Sequence, residues 1–183
     1  MTLSAPALGP TLETSRLILR PPIAGDFSSF CAFEADEETV KYLGGVKAPS
    51  VVWRNLRTIA GGWHLDGFHF FSVIEKSTSR WIGRIGPFCP EGWPGREVGW
   101  GLIASAWGQG YGREAASVCM DYAFDRLGWD RVIHTINPAN IASVALARSL
   151  GSYNQGPGRL PEPFADVPID IWGQTRDEWK ARR

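Results

Sequence analysis

The stretch EVGWGLIASAWGQGYGREAASVCMDYAF, residues 97–124, passes from a strand-like run through closely spaced glycines straight into a helical pattern. No other feature restricts the possible folds of the chain as much. Gly108, Gly110 and Gly112 allow backbone shapes closed to residues with a Cβ. A helix that starts at once leaves its first N–H groups without internal acceptors, at the positive end of its dipole. Such a corner can receive a phosphate, with Arg113 adding charge, or it can simply let strand and helix pack closely. Residues 110–115, GYGREA, also match the dinucleotide fingerprint G-x-G-x-x-G/A. That fingerprint needs an acidic residue about 20 positions on, at the end of the next strand. Here the next strand ends in Thr135-Ile136-Asn137, with no acid, and too little chain follows for a doubly wound sheet. A nicotinamide reading is rejected.

The 183 residues suit one domain, 1–183, with a flexible N-terminus expected over 1–10. Nineteen basic residues balance nineteen acidic ones, so the basic excess of a nucleic-acid or membrane-surface binder is missing. Neither a bilayer-spanning apolar run nor a secretory leader is found, which makes the cytoplasm the expected location. Cys31, Cys89 and Cys119 form no C-x-x-C pair, and His64, His69 and His134 lack metal-ligand spacing; no metal is expected.

The local patterns predict an opening strand at 16–20, stopped by Pro21-Pro22, then a helix capped by Asp26 and a short one capped by Asp36. A third helix begins at Ser50, with Trp53, Leu56, Ile59, Ala60 and Trp63 on its apolar stripe. Strands at 68–75 and 80–88 flank the turn KSTS as a hairpin. A loop (CPEGWPGR), a strand at 97–103 and a helix at 110–127 follow, then a strand at 131–137 and a helix at 140–150. Turn-rich sequence leads to a last strand at 169–172 and a helical turn ending at Trp179. The fold class is α/β (α+β). Trp53, Trp63, Trp81, Trp100 and Trp172 read as core, His134 as a satisfied core histidine, and Trp93 as a residue able to line an acceptor cleft.

LETSRLILRPP, DFSSFCAFEADEETVKYLGG, REVGWGLIASAWGQGYGREAA, NPANIASVALARSLG and DIWGQTRDEW, in this order, resemble the GNAT superfamily of N-acetyltransferases. Within it they are most similar to the ribosomal-protein N-terminal acetyltransferase-like (RimJ/RimL type) branch. The resemblance implies a mixed, mostly antiparallel sheet of about six or seven strands, flanked by helices, with a central strand pair splayed by a bulge at residues 99–101. It implies acetyl-CoA as co-substrate. The backbone of Gln109, Gly110, Tyr111, Gly112 and Arg113 would hold the diphosphate, and Leu102 and Ile103 would face the pantetheine arm. Asn137, Asn140 and Ser143 would meet its thioester end. Three departures stand out: Trp107 where the superfamily prefers Arg or Gln, Ala147 where many members carry a proton-donating Tyr, and Ser152 where an aromatic is usual.

Acetyl transfer to a primary amine needs a neutral nucleophile, and an amine of pKa near 10.4 is almost wholly protonated at neutral pH. A carboxylate base is therefore expected, and the resemblance points to Glu162 in RLPEPF or Glu97 at the head of the central strand. Glu97 can equally pair with Arg84 or Arg96, and Glu162 can be a solvated loop residue. Ser143 is the candidate partner for the leaving thiolate. The acceptor is expected to be a small-molecule amine or a peptide, and the resemblance allows a homodimer. The other reading is a non-catalytic acyl-CoA-binding sensor or docking protein of the same fold.

Overall fold

The computed structural model describes residues 8–182. The expected flexible start, 1–10, concerns mostly residues outside that range. Six helices and eight strands follow one another as β1 (Leu12–Glu13), β2 (Leu17–Arg20), α1 (Phe27–Ala35), α2 (Glu37–Val40), α3 (Pro49–Leu65), β3 (Phe71–Glu75), β4 (Arg80–Phe88), β5 (Glu97–Leu102), α4 (Tyr111–Asp121), β6 (Arg131–Ile136), α5 (Ile141–Leu150), β7 (Tyr153–Gly158), β8 (Ile169–Thr175) and α6 (Arg176–Lys180). The strands form one sheet in the order β1-β2-β3-β4-β5-β6-β8-β7, mostly antiparallel, with β5 and β6 parallel. Eight strands replace the expected six or seven. The additions are two-residue β1 and edge strand β7, whose sequence YNQGPG carries no apolar alternation. β7 exists because β8 supplies its partners, across a register irregularity between Asn154 and Pro157. Among the described residues no helix is long and apolar enough to cross a membrane.

The chain divides into two compact units, and β4 and β5 contribute to both. The first comprises Met1–Arg84 and Gly101–Ser105. Its α3 begins at Pro49, one residue before the expected Ser50, because proline suits the first helical position. The buried stripe is Val52, Leu56, Ile59 and Trp63; Trp53, one residue off it, stays 39% exposed against Phe27. The expectation that Trp53 is core therefore fails on helical geometry. Asp36 caps α2 as expected, accepting from the N–H groups of Glu38 and Thr39. Asp26 does not cap α1 with its side chain. It turns inward instead, taking both Arg20 guanidinium nitrogens (2.7 and 2.8 Å), the Ile23 N–H and the Ser72 hydroxyl, which itself accepts from Trp81 Nε1. Burial alone would raise this carboxyl; the Arg20 and Ser72 hydrogen bonds overcome it and hold the group below the usual carboxylate range. Gly83, at φ 154°, lies so close to β5 that an added Cβ would meet Gly101 O at 2.3 Å. His69 is buried, accepts the Phe70 N–H at Nδ1, and is pushed down to about 4 by burial and by Arg84.

The second unit comprises Ile85–Trp100 and Ala106–Arg183. There α4 buries Tyr111, Ala115, Ala116, Cys119 and Met120, and the chain widens into a π-helical turn at Tyr122–Arg126. Burial drives the Cys119 thiol far up, so no thiolate is available there. On the face of β6 and β8 that carries Ile136 and Trp172, α5 packs through Ala147, with Trp100 and Val144 alongside.

Asp26→Ala leaves the Arg20 charge and the Ser72 hydroxyl without their shared acceptor. Chemical denaturation should show a loss of about 3 kcal/mol, with Asp26→Asn losing less.

Candidate active site

β5 and β6 run in parallel, and their register extends to one pair, Glu97 opposite Ile133. Ile133 N–H donates to Arg96 O at 2.9 Å. The next rung of a parallel ladder would join Thr135 N–H to Val98 O. Both groups are taken by side chains instead. Val98 O accepts from His134 Nδ1 at 2.7 Å, and Thr135 N–H donates to Glu97 Oε1 at 3.4 Å. The register of the pair therefore stops just after Glu97, before residues 99–101, where a bulge was expected.

A carbonyl can only accept, so His134 carries its proton on Nδ1. Burial pushes its pKa down to about 4, against the hydrogen bond to Val98 O, and the neutral ring accepts at Nε2 from the Ser152 hydroxyl at 2.9 Å. Ser152 accepts in turn from Gln174 Nε2 (3.0 Å), which also donates to Leu150 O. His134 is thus the satisfied core histidine that was expected. The Ser152 hydroxyl is the group that satisfies its Nε2.

Strand alternation assigns the rest to two faces. His134 shares the α5 face with Trp100, whose indole lies 4.6 Å from the imidazole and donates to Ser143 Oγ at 3.1 Å. Ser143, at the start of α5, gives its backbone N–H to Oδ1 of Asn140, and Asn137 Oδ1 accepts from Ala139 N–H. Each asparagine, having accepted through oxygen, keeps its amide N–H donors for other partners. Ala147 is wholly buried in the α5 packing.

Glu97 and Thr135 share the opposite face with Ile133. Glu97 is 7% exposed, and its Oε2 accepts from Trp93 Nε1 at 2.6 Å and from Thr135 Oγ1 at 2.9 Å. Trp93, expected to line a cleft, is half-buried and rests edge-on against Phe88. The 89–96 loop covers this face: a Cβ on Gly95 would lie 3.1 Å from Ile133, and one on Gly92 would lie 3.4 Å from Pro161. Glu162, next to Pro161, is exposed. A cavity of about 480 Å³ on the same face is lined by Gly95, Arg96, Arg131, Ile133, Gln155 and Ile171 among others.

Gly110 is the N-cap of α4, in the left-handed region at φ 80°, and no side chain caps the helix. Arg113 is exposed, and an added Cβ on Gly108 would meet nothing within 4 Å. This corner has room and positive potential for a diphosphate. Leu102 and Ile103 belong to the other unit, where Ile103 N–H donates to Ile82 O at 3.0 Å. Among the described residues, no group of three or more His, Cys, Asp or Glu side chains could hold a metal ion.

The acetyltransferase (GNAT) domain family matches residues 16–152. An uncharacterized N-acetyltransferase, p20 of Bacillus licheniformis, is 32% identical over 165 residues, covering 88% of this chain and 93% of its own. The crystal structure of an acetyltransferase from Agrobacterium tumefaciens superposes with a TM-score of 0.80 at 29% identity, covering 91% of this chain and 95% of that one. A ribosomal-protein-S5-alanine acetyltransferase from Vibrio fischeri shares the fold at a TM-score of 0.69 and 17% identity, over 93% and 98% of the two chains. The chain belongs to the GNAT acetyltransferase family, whose members transfer an acyl group from acetyl-CoA to amines.

His69 and His134 carry a pH-dependent part of the stability. The unfolded chain takes up protons on both as pH falls below about 6.5, and the native state refuses them until about 4. Stability should therefore fall across that window, by about 1.4 kcal/mol per pH unit per histidine. Urea unfolding at a series of pH values checks this, and His69→Asn should flatten the slope by about half.

Proposed function

We propose that this protein transfers an acetyl group from acetyl-CoA to the primary amine of a protein N-terminus or small molecule, by direct attack in a ternary complex. Its active unit is the single domain 1–183, working in the cytoplasm in the manner of the RimJ/RimL branch. The observation that carries the reading is the β5–β6 pair, which opens after one register pair toward the end where α4 starts at left-handed Gly110 without a side-chain cap. Ligands of open α/β sheets enter at the carboxyl ends of parallel strands, for the same reason.

The co-substrate supplies an acetyl thioester. The backbone N–H groups of Gly112 and Arg113, with Gln109, Gly110 and Tyr111 of the same corner, bind its diphosphate, and Arg113 adds charge. The family resemblance assigns Leu102 and Ile103 to the pantetheine arm; Asn137 and Asn140 offer amide donors to the thioester end. Glu162 accepts the proton of the attacking amine as the new C–N bond forms and the C–S bond breaks. Its support is chemical: it is exposed, and its loop touches the 89–96 loop through Pro161. Glu97, by contrast, is buried and its Oε2 already accepts from Trp93 and Thr135. Ser143 receives a hydrogen bond from Trp100, which leaves its own hydroxyl proton for the departing thiolate. The family's Tyr position offers no such donor, since it is Ala147.

Calorimetry should show coenzyme A binding at one site per chain, with pantetheine, which lacks the diphosphate, at least about a hundredfold weaker. Glu162→Gln should lower kcat on an active amine by about 10²–10³-fold with little change in the KM for acetyl-CoA. An equal loss in Glu97→Gln, with Glu162→Gln unaffected, would move the base to Glu97. Coenzyme A binding without thiol release across a broad amine panel would leave a sensor in place of an enzyme.

A further inference from the structure

The missing rung has a cause in the side chains. A parallel pair with free backbone groups on both strands should go on closing, because each unmade buried bond costs about 1–3 kcal/mol. Here closure would have to break the Thr135 N–H bond to Glu97 Oε1 and press Thr135 against the His134 imidazole that already donates to Val98 O. Neither side chain can swing away cheaply. His134 is 1% exposed and held at Nε2 by Ser152, whose oxygen is held by Gln174, while Trp100 stacks on the ring. Glu97 is held at Oε2 by Trp93 and by the Thr135 hydroxyl.

We infer that His134 and Glu97 are positioning residues that hold β5 and β6 apart, their side chains standing in for the Thr135–Val98 rung, so that the slot for the thioester arm exists before any ligand binds. The slot's occupant rests on the function proposed above; the wedge itself does not. Preformation matters because a slot that had to be opened on binding would subtract the cost of breaking that rung from the affinity.

Three readouts test this. In the wild type without ligand, nitrogen-15 NMR should report the Nδ1–H tautomer of His134, with Nε2 unprotonated, from pH 6 to 8, and through-hydrogen-bond coupling should join Ile133 N–H to the Arg96 carbonyl but not Thr135 N–H to the Val98 carbonyl. The Nε2–H tautomer, or a coupling between Thr135 N–H and the Val98 carbonyl, overturns the inference without any variant. His134→Val removes the imidazole from Val98 O, so that Thr135 N–H can exchange its long 3.4 Å bond to Glu97 for the Val98 carbonyl. The Thr135–Val98 coupling should then appear, and the KM for acetyl-CoA should rise about tenfold or more with a much smaller change in kcat. His134→Asn, which keeps an N–H near the Nδ1 position, should restore the KM to within about threefold. A His134→Val protein that binds coenzyme A as tightly as the wild type sinks the inference and leaves the proposed function standing. A wild type that binds no coenzyme A sinks the proposed function, while the two NMR readouts still decide the wedge.

Discussion

Val98 O and Thr135 N–H face a choice that any buried peptide group faces: a partner on the next strand, or a partner of another kind. Side chains provide the second option at this one place, and the rest of the candidate site follows from it. With the rung occupied, the register of β5 with β6 stops after Glu97, and the segments that leave the two strands lead to the starts of α4 and α5. Gly110 starts one of those helices without a side-chain cap, and Asn140 caps the other with its oxygen. Val98 O and Thr135 N–H both find side-chain partners where the ladder stops.

The same device sorts the ionisable groups. Those given enough donors keep their charge, and those that are merely buried lose it. Asp26 in the first unit takes up four donated hydrogen bonds and stays a carboxylate despite its burial. His134 in the second is offered one carbonyl and one hydroxyl, a set that suits a neutral ring, and burial keeps it neutral. Glu97, with an indole, a hydroxyl and an amide pointed at it, belongs with Asp26 as an anchor. Of the two carboxylates picked out by family resemblance, Glu162 alone is in contact with solvent, as a residue exchanging protons with a substrate should be.

Two departures from the family pattern acquire different meanings. Ala147 fills a tightly packed spot in the α5 core, where the family resemblance would put a larger, polar Tyr. Ser152 is a working polar residue: an aromatic there could not hydrogen-bond His134 Nε2 and accept from Gln174 together. A small hydroxyl residue at that position and a histidine inside the neighbouring strand form one unit, although 18 residues separate them.

The linear sequence determined whatever depends on neighbours along the chain. Most elements, the Asp36 cap, the glycine-rich start of α4 and the five family segments were legible because helix periodicity, cap chemistry and glycine's conformational range act within a few residues. Sequence alone misjudged Trp53 by one position on a helix, gave Asp26 a cap role where Arg20 and the distant Ser72 take its oxygens instead, and passed over β7 because YNQGPG has no strand signal until β8 lies beside it. Tertiary structure alone decided the opening of β5 and β6. That decision joins Val98 to His134, His134 to Ser152, Ser152 to Gln174, and Glu97 to Thr135, and hydrogen bonds between residues 18 to 38 positions apart leave no periodic trace in a sequence.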